Sequence, residues 1–242
     1  MRMNTPMRRD SLFLLVFFLS GFSALIYQVI WARKLQLAFG VSAFAVAAVL
    51  SAYFLGLACG SYLGGRLSDR IRNPAGGYGI AEILIGTLAI LITPWLSSLD
   101  ILLRPFNNVI LDNYWLLQGV RFIVTLTVLF IPTTLLGATF PLLLKGVTST
   151  IGVAGRKVSV FYATNTFGAA AGVLVSGFVL IPRVGLYAST LLAAGISIFA
   201  GMAAILITRS QLQQGSALDA PAFSSEDKQE FLHNSQDMTN TI

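Results

Sequence analysis

Charge is what this sequence has least of. Only 11% of its 242 residues are Asp, Glu, Lys or Arg, against about a quarter in a soluble domain. Hydrophobic residues make up 55%, so too little polar surface remains to cover a water-facing globule. That excludes an ordinary cytosolic enzyme. Disordered chains, collagen and coiled coils are excluded as well, since each needs a polarity or a repeat missing here. The one cysteine, Cys59, sits in an apolar run, where it forms no intrachain disulfide and suits no metal cluster. The one histidine, His233, stands in a polar C-terminal stretch and reads as solvated rather than metal-bound. No Ser/His/Asp arrangement, paired carboxylates or phosphate loop is found, so no catalytic residue, metal or cofactor is expected.

What the sequence has is long apolar runs. A helix needs about 20 apolar residues to cross roughly 30 Å of hydrocarbon. Six runs qualify, at residues 11–31, 41–64, 77–98, 118–144, 158–181 and 185–208. The expected fold is therefore an all-α membrane protein with six transmembrane helices. Pro132 and Pro141 lie inside the fourth run and predict a kink or an early end near Gly137. The first run follows Arg8 and Arg9 as a signal peptide would, but it is too long and no small-residue cleavage site follows it.

Lys and Arg in the short loops set the orientation. With the N-terminus inside, cytoplasmic segments hold Arg2, Arg8, Arg9, Arg66, Arg70, Arg72, Lys145, Arg156, Lys157, Arg209 and Lys228, while outer loops hold only Arg33, Lys34, Arg104 and Arg183. Trp31, Trp95 and Trp115 fall at outer boundaries, where indoles favour the interface. Both termini are thus predicted to be cytoplasmic (N-in, C-in), in the plasma membrane, or inner membrane of a bacterium. The domain plan is a cytoplasmic N-terminus at 1–10, a transmembrane domain at 11–208 and a tail at 209–242. The tail is acidic, with Asp219, Glu226, Asp227, Glu230 and Asp237 against Arg209 and Lys228. Its polarity predicts disorder, with at most one helical turn around residues 225–232. The sequence nets +6, but the positive charge flanks the membrane, so the lipid bilayer explains it without a nucleic acid.

Two stripes of small residues stand out. Gly56, Gly60 and Gly64 recur at four-residue spacing in the second run, and Thr164, Gly168, Gly172 and Ser176 do so in the fifth. Such stripes let backbones approach closely in lipid, either within the chain or across an interface with another protomer. Polar groups inside the spans are few: Glu82 and Asn165 toward the cytoplasmic side, Gln28 and Arg121 toward the outer side. They read as a candidate polar path or small-molecule site, or as hydrogen bonds joining helices, with Arg121 snorkelling outward.

After the second run comes Gly65-Arg66-Leu67-Ser68-Asp69-Arg70. This resembles the G-x-L-x-D-R loop of major facilitator transporters, with Gly65, Asp69 and Arg70 in the motif positions. Residues 20–31 (SGFSALIYQVIW), 137–141 (GATFP) and 162–169 (YATNTFGA) resemble helix signatures of the fused major facilitator/spermidine synthase family. Arg121-Phe122, Pro132-Thr133 and Ile181-Pro182 fall in register with it. The resemblance covers residues 11–208 and implies half of a major facilitator-like bundle. It also implies that the first and fourth helices line a cavity, while the second and fifth meet another half.

The family continues into a Rossmann-like domain that binds an adenosyl cofactor. Such a domain opens with a glycine-rich turn after a strand. After residue 208 only Gly215 is found, with no strand pattern, so aminopropyl transfer by this chain is not expected. Two expectations follow. One is a non-catalytic anchor or scaffold for a separately encoded synthase or methyltransferase. The other is a half-size transporter that dimerises to move a small metabolite, with polyamines suggested by the family name. Glu82 is the lone carboxylate in the membrane interior and Arg121 repels cations, which argues against polyamine cargo.

Overall fold

The computed structural model describes residues 5–39, 43–99, 113–147 and 151–218, with side chains for all of these but 5–9, 44, 45, 114, 151–154 and 211–218. The elements are all helical: α1 (Thr5–Phe39), α2 (Ala43–Arg70), α3 (Pro74–Ser97), α4 (Tyr114–Val147), α5 (Ile151–Val175), a π-helical turn (Ser176–Leu180) and α6 (Ile181–Leu218). The chain divides into two units, Met1–Ile207 and Thr208–Ile242. In the second unit the described residues, 208–218, are helical; the turn expected at 225–232 and His233 lie outside the described residues.

Five stretches are long and apolar enough to cross a bilayer: Asp10–Phe39, Val46–Arg70, Pro74–Ser97, Trp115–Val147 and Gly155–Ser210. The chain is a polytopic membrane protein. Its outward side chains agree, with Phe178 80% exposed and Phe167 and Trp115 each 73%, a surface that lipid covers and water does not. Six separate spans were expected, and here the fifth and sixth run together. No polar loop parts them, so helical hydrogen bonding continues from α5 through the π turn into α6. The merged stretch has 56 residues, which at 1.5 Å per residue is far longer than a bilayer is thick. Gly185 interrupts it with φ 81 and ψ 175, a left-handed conformation that a residue with a Cβ resists.

Contacts between helices fix their directions. Tyr78 donates to the Val16 carbonyl at 3.5 Å, Ser20 to Glu82, and the Trp31 indole to Thr93 at 3.2 Å, each pair 62 residues apart. α1 and α3 therefore run parallel in constant register. Gly56, Gly60 and Gly64 meet Thr133, Thr134 and Ala138, so α2 and α4 are parallel. Phe18 and Phe22 meet Gly168 and Gly172, so α1 and α5 are parallel. Gly79 faces Gly201 and Gly86 faces Ala194 and Ile198, so α3 and α6 are antiparallel. It follows that α5 and α6 point in opposite directions, and the chain reverses around Gly185.

Helix ends overrun the hydrophobic runs. α1 continues past Trp31 to Phe39, taking in Arg33 and Lys34 as helix rather than loop. α3 starts where Pro74 follows Asn73, whose side chain accepts from the Gly76 amide at 2.9 Å, a proline-primed N-cap. α4 is capped by Asn113, which accepts from the Trp115 and Leu116 amides at 3.1 and 3.2 Å. It then passes unbroken through Pro132 and Pro141 to Val147, so the end expected near Gly137 does not occur. Pro141 strips the Gly137 carbonyl of its helical donor. Ser61 on α2 supplies another, donating to that carbonyl at 3.1 Å, as neighbouring helices do for membrane prolines.

Candidate functional site

Among the described residues the interior is mostly apolar and aromatic: Phe13, Phe17, Ile26, Ile30 and Leu35 of α1 are fully buried. Trp31 is fully buried too, stacked on Tyr27 with ring centroids 5.4 Å apart. The sequence placed it in an interfacial belt with Trp95 and Trp115. Those two are exposed, but Trp31 turns inward because α3 offers its N–H an acceptor in Thr93.

One polar cluster interrupts this interior where α1, α3 and α6 meet. Glu82 of α3 has no accessible surface. Its Oε1 accepts from the Ser20 hydroxyl of α1. One turn along α1, the Ser23 hydroxyl reaches the Ser20 carbonyl at 3.0 Å and shares a 2.8 Å hydrogen bond with Ser197 of α6. Ser197 and Tyr78 also lie within electrostatic reach of the Glu82 carboxyl, and Tyr27 feels its charge. Two oxygens in this cluster are buried without a hydrogen-bond partner: Glu82 Oε2 and the Tyr27 hydroxyl. Gly79 and Gly201 make the crowding possible, since a Cβ on Gly79 would stand 2.6 Å from the Gly201 carbonyl oxygen.

The four polar residues singled out from sequence do not form one site. Glu82 engages Ser20 rather than Asn165. Asn165 of α5 is half-buried against Gly21, where a Cβ would come within 2.6 Å of its Oδ1. Arg121 holds its guanidinium 5.8 Å from the centre of the Phe39 ring. Gln28 is half-buried 11 residues earlier on α1, roughly 16 Å along the axis. Ser20, Ser23, Tyr27, Tyr78 and Ser197 were not picked out as site residues. A signal existed: Ser20, Ser23 and Tyr27 are spaced i, i+3, i+7, a polar stripe on one face of an otherwise apolar helix.

The glycine stripes turn inward. A Cβ on Gly64 would stand 2.6 Å from the Ala138 Cα, and one on Gly60 would overlap the Thr134 backbone. Gly168 and Gly172 seat the Phe18 and Phe22 carbonyls just as tightly, and Ser176 is buried, donating to the Val173 carbonyl at 2.9 Å. Of the two readings of the stripes, the structure shows packing within the chain, on α4 and α1.

The G-x-L-x-D-R segment is not a loop. Gly65, Asp69 and Arg70 all belong to α2, which ends at Arg70. Glycine costs a helix roughly 1 kcal/mol, and nothing lies within 4 Å of a Cβ built on Gly65 to offset it. Asp69 caps no neighbouring helix; it pairs with Lys145 at 2.7 Å. Arg66 stacks 4.5 Å over the Tyr62 ring.

Polar contacts gather basic groups at one end of the bundle. Asp10 pairs with Lys157 at 2.9 Å, tying the start of α1 to α5. Lys157 also donates to the Val147 carbonyl at 3.3 Å, tying in the end of α4. Gly146 packs on Ala75 at the start of α3. Asp69 with Lys145 adds the end of α2. Among the described residues of the first unit, Arg66, Arg70, Arg72, Lys145, Arg156 and Lys157 thus share one end with Asp10 and Asp69. Lys34, which donates to Ser97, and Arg121 lie at the other.

No known protein family, characterised protein or solved structure matches the chain. Among the described residues no group of His, Cys, Asp and Glu side chains is placed to hold a metal ion.

Proposed function

We propose that this chain is a six-pass scaffold of the plasma membrane that holds a soluble, separately encoded partner against the cytoplasmic face. The observation that carries the reading is the basic end of the bundle. Six Lys and Arg residues collect there from α2, α4, α5 and the turn after α2, opposed by two aspartates. The positive-inside bias makes that end cytoplasmic. The antiparallel directions of α5 and α6 support two passes in the 56-residue stretch, which brings the total to six and returns the C-terminus to the side of the N-terminus. The motif resemblance supplies the partner class, an adenosyl-cofactor synthase or methyltransferase, with chemistry in that partner and none in this chain. The fold reading that goes with it is half of a major facilitator-like bundle.

Purification of the tagged chain in mild detergent, with mass spectrometry and light-scattering mass on the eluate, tests this. Stoichiometric recovery of such an enzyme is expected, and replacing Arg66, Arg70 and Arg72 with Glu should release it. A homodimer without that enzyme would favour the second reading, a half-size transporter. The Glu82 cluster supports that alternative, because an intramembrane carboxyl marks ion or substrate paths more often than it marks plain packing. Uptake into proteoliposomes would then be the next assay.

A further inference from the structure

We infer that the junction of α1, α3 and α6 is a binding site for one small monovalent cation, with sodium as its natural probe. The inference does not rest on the scaffold reading. A buried carboxylate in lipid needs a neutralising partner, and among the described residues Glu82 forms no ion pair. What surrounds it is oxygen. Ser20 gives its hydroxyl to Oε1. Oε2 has no hydrogen-bond partner, and neither does the Tyr27 hydroxyl, although both groups are fully buried. Ser197, which shares a hydrogen bond with Ser23, also reaches toward both, and the Tyr78 hydroxyl reaches the carboxyl as well.

Oxygens gathered from several helices around one buried carboxylate are what a hard cation requires, since it binds oxygen ligands. The charge count selects the valence. One carboxylate balances one positive charge, whereas a divalent ion would leave a net charge in the apolar interior. A proton on Oε2 would balance the charge as well and make that oxygen a donor, but it joins the carboxyl to one acceptor only, whereas a cation draws oxygens from all three helices. The cation joins three helices through side chains alone: Glu82 from α3, Ser20 and Tyr27 from α1, and Ser197 from α6. Binding should therefore tighten the bundle.

The test is equilibrium binding of radioactive sodium to the full chain in lipid nanodiscs, with thermal unfolding in sodium or choline chloride at matched ionic strength. Saturable binding of one sodium per chain is expected, with a rise in unfolding temperature that choline does not reproduce. Glu82→Gln, close in shape and uncharged, should abolish both effects. Tyr27→Phe, which removes one oxygen and keeps the ring, should weaken binding about tenfold and keeps the test decisive if the glutamine variant does not fold. Absence of saturable binding to the wild type, sodium binding unchanged by either substitution, or stabilisation that follows pH and ignores sodium would each overturn the inference.

Discussion

The α2–α4 contact and the junction of α1, α3 and α6 are both buried, yet one is closed by backbone and the other by side-chain oxygens. Between α2 and α4, Gly56, Gly60, Gly64 and Gly137 remove side chains so that main chains touch, and Ser61 fills the one acceptor that Pro141 leaves open. In lipid, where no hydrophobic drive pulls helices together, such a surface gains its energy from many small van der Waals contacts. At the other junction Glu82, Ser20, Ser23, Ser197 and Tyr27 meet, leaving two oxygens without partners. The first contact is closed by main chain, with the Thr134 hydroxyl its buried oxygen without a hydrogen-bond partner. The second is where we infer a bound cation, which would couple function to packing.

Substitutions separate the two modes, and the largest effects belong to the backbone contact. Gly60→Leu and Gly172→Leu put side chains where the Thr134 backbone and the Phe22 carbonyl already stand. Each should remove the folded, monodisperse species from size-exclusion chromatography in detergent; unchanged elution would contradict the packing described. Trp31→Ala comes next, expected to cost about 3–5 kcal/mol because it empties a fully buried site, as read by unfolding in mixed micelles. Ser61→Ala should cost about 1 kcal/mol, the scale of one interhelical hydrogen bond in a membrane.

Two adjacent glycines give a finer contrast, in sign rather than size. Gly64 is pressed on Ala138, while nothing lies within 4 Å of a Cβ added to Gly65. Gly64→Ala should destabilise, and Gly65→Ala should stabilise by about 0.5–1 kcal/mol through helix propensity. The same sign at both positions would break the account of this helix face. Smallest of all, Asp69→Asn should change stability by less than about 1 kcal/mol, since its pair with Lys145 is more than half exposed on both sides.

The glycine contact was legible in the sequence because spacing alone reveals it: a period of four on a helix is a line on one face. Its occupant was not, since the choice between another protomer and this chain's α4 depends on where α4 packs. Helix ends were misplaced for a related reason. Hydrophobic runs mark where lipid begins and ends, but Arg66, Asp69 and Arg70 continue the α2 hydrogen-bond ladder beyond it. The break between the fifth and sixth apolar runs was legible from apolar length and Arg183, and it falls at Gly185. The helical hydrogen bonding that joins the two runs into one stretch was not, because no local pattern marks it. Glu82 was found as an anomaly of composition. Its partners escaped because serines are ordinary in membrane helices and the 62-residue register between α1 and α3 is set by packing, which no local pattern encodes.

The alternating order of the helices is the claim on which both the scaffold reading and the basic cytoplasmic end depend. Single cysteines at Arg72, Asn113 and Val184, in a Cys59→Ala background, test it by labelling intact cells with a membrane-impermeant maleimide. The account predicts that positions 113 and 184 label from outside, while 72 labels only after the cells are opened. Labelling of 113 and 184 from opposite sides would show that α4 and α5 do not make two passes in opposite senses and would contradict the six-pass arrangement.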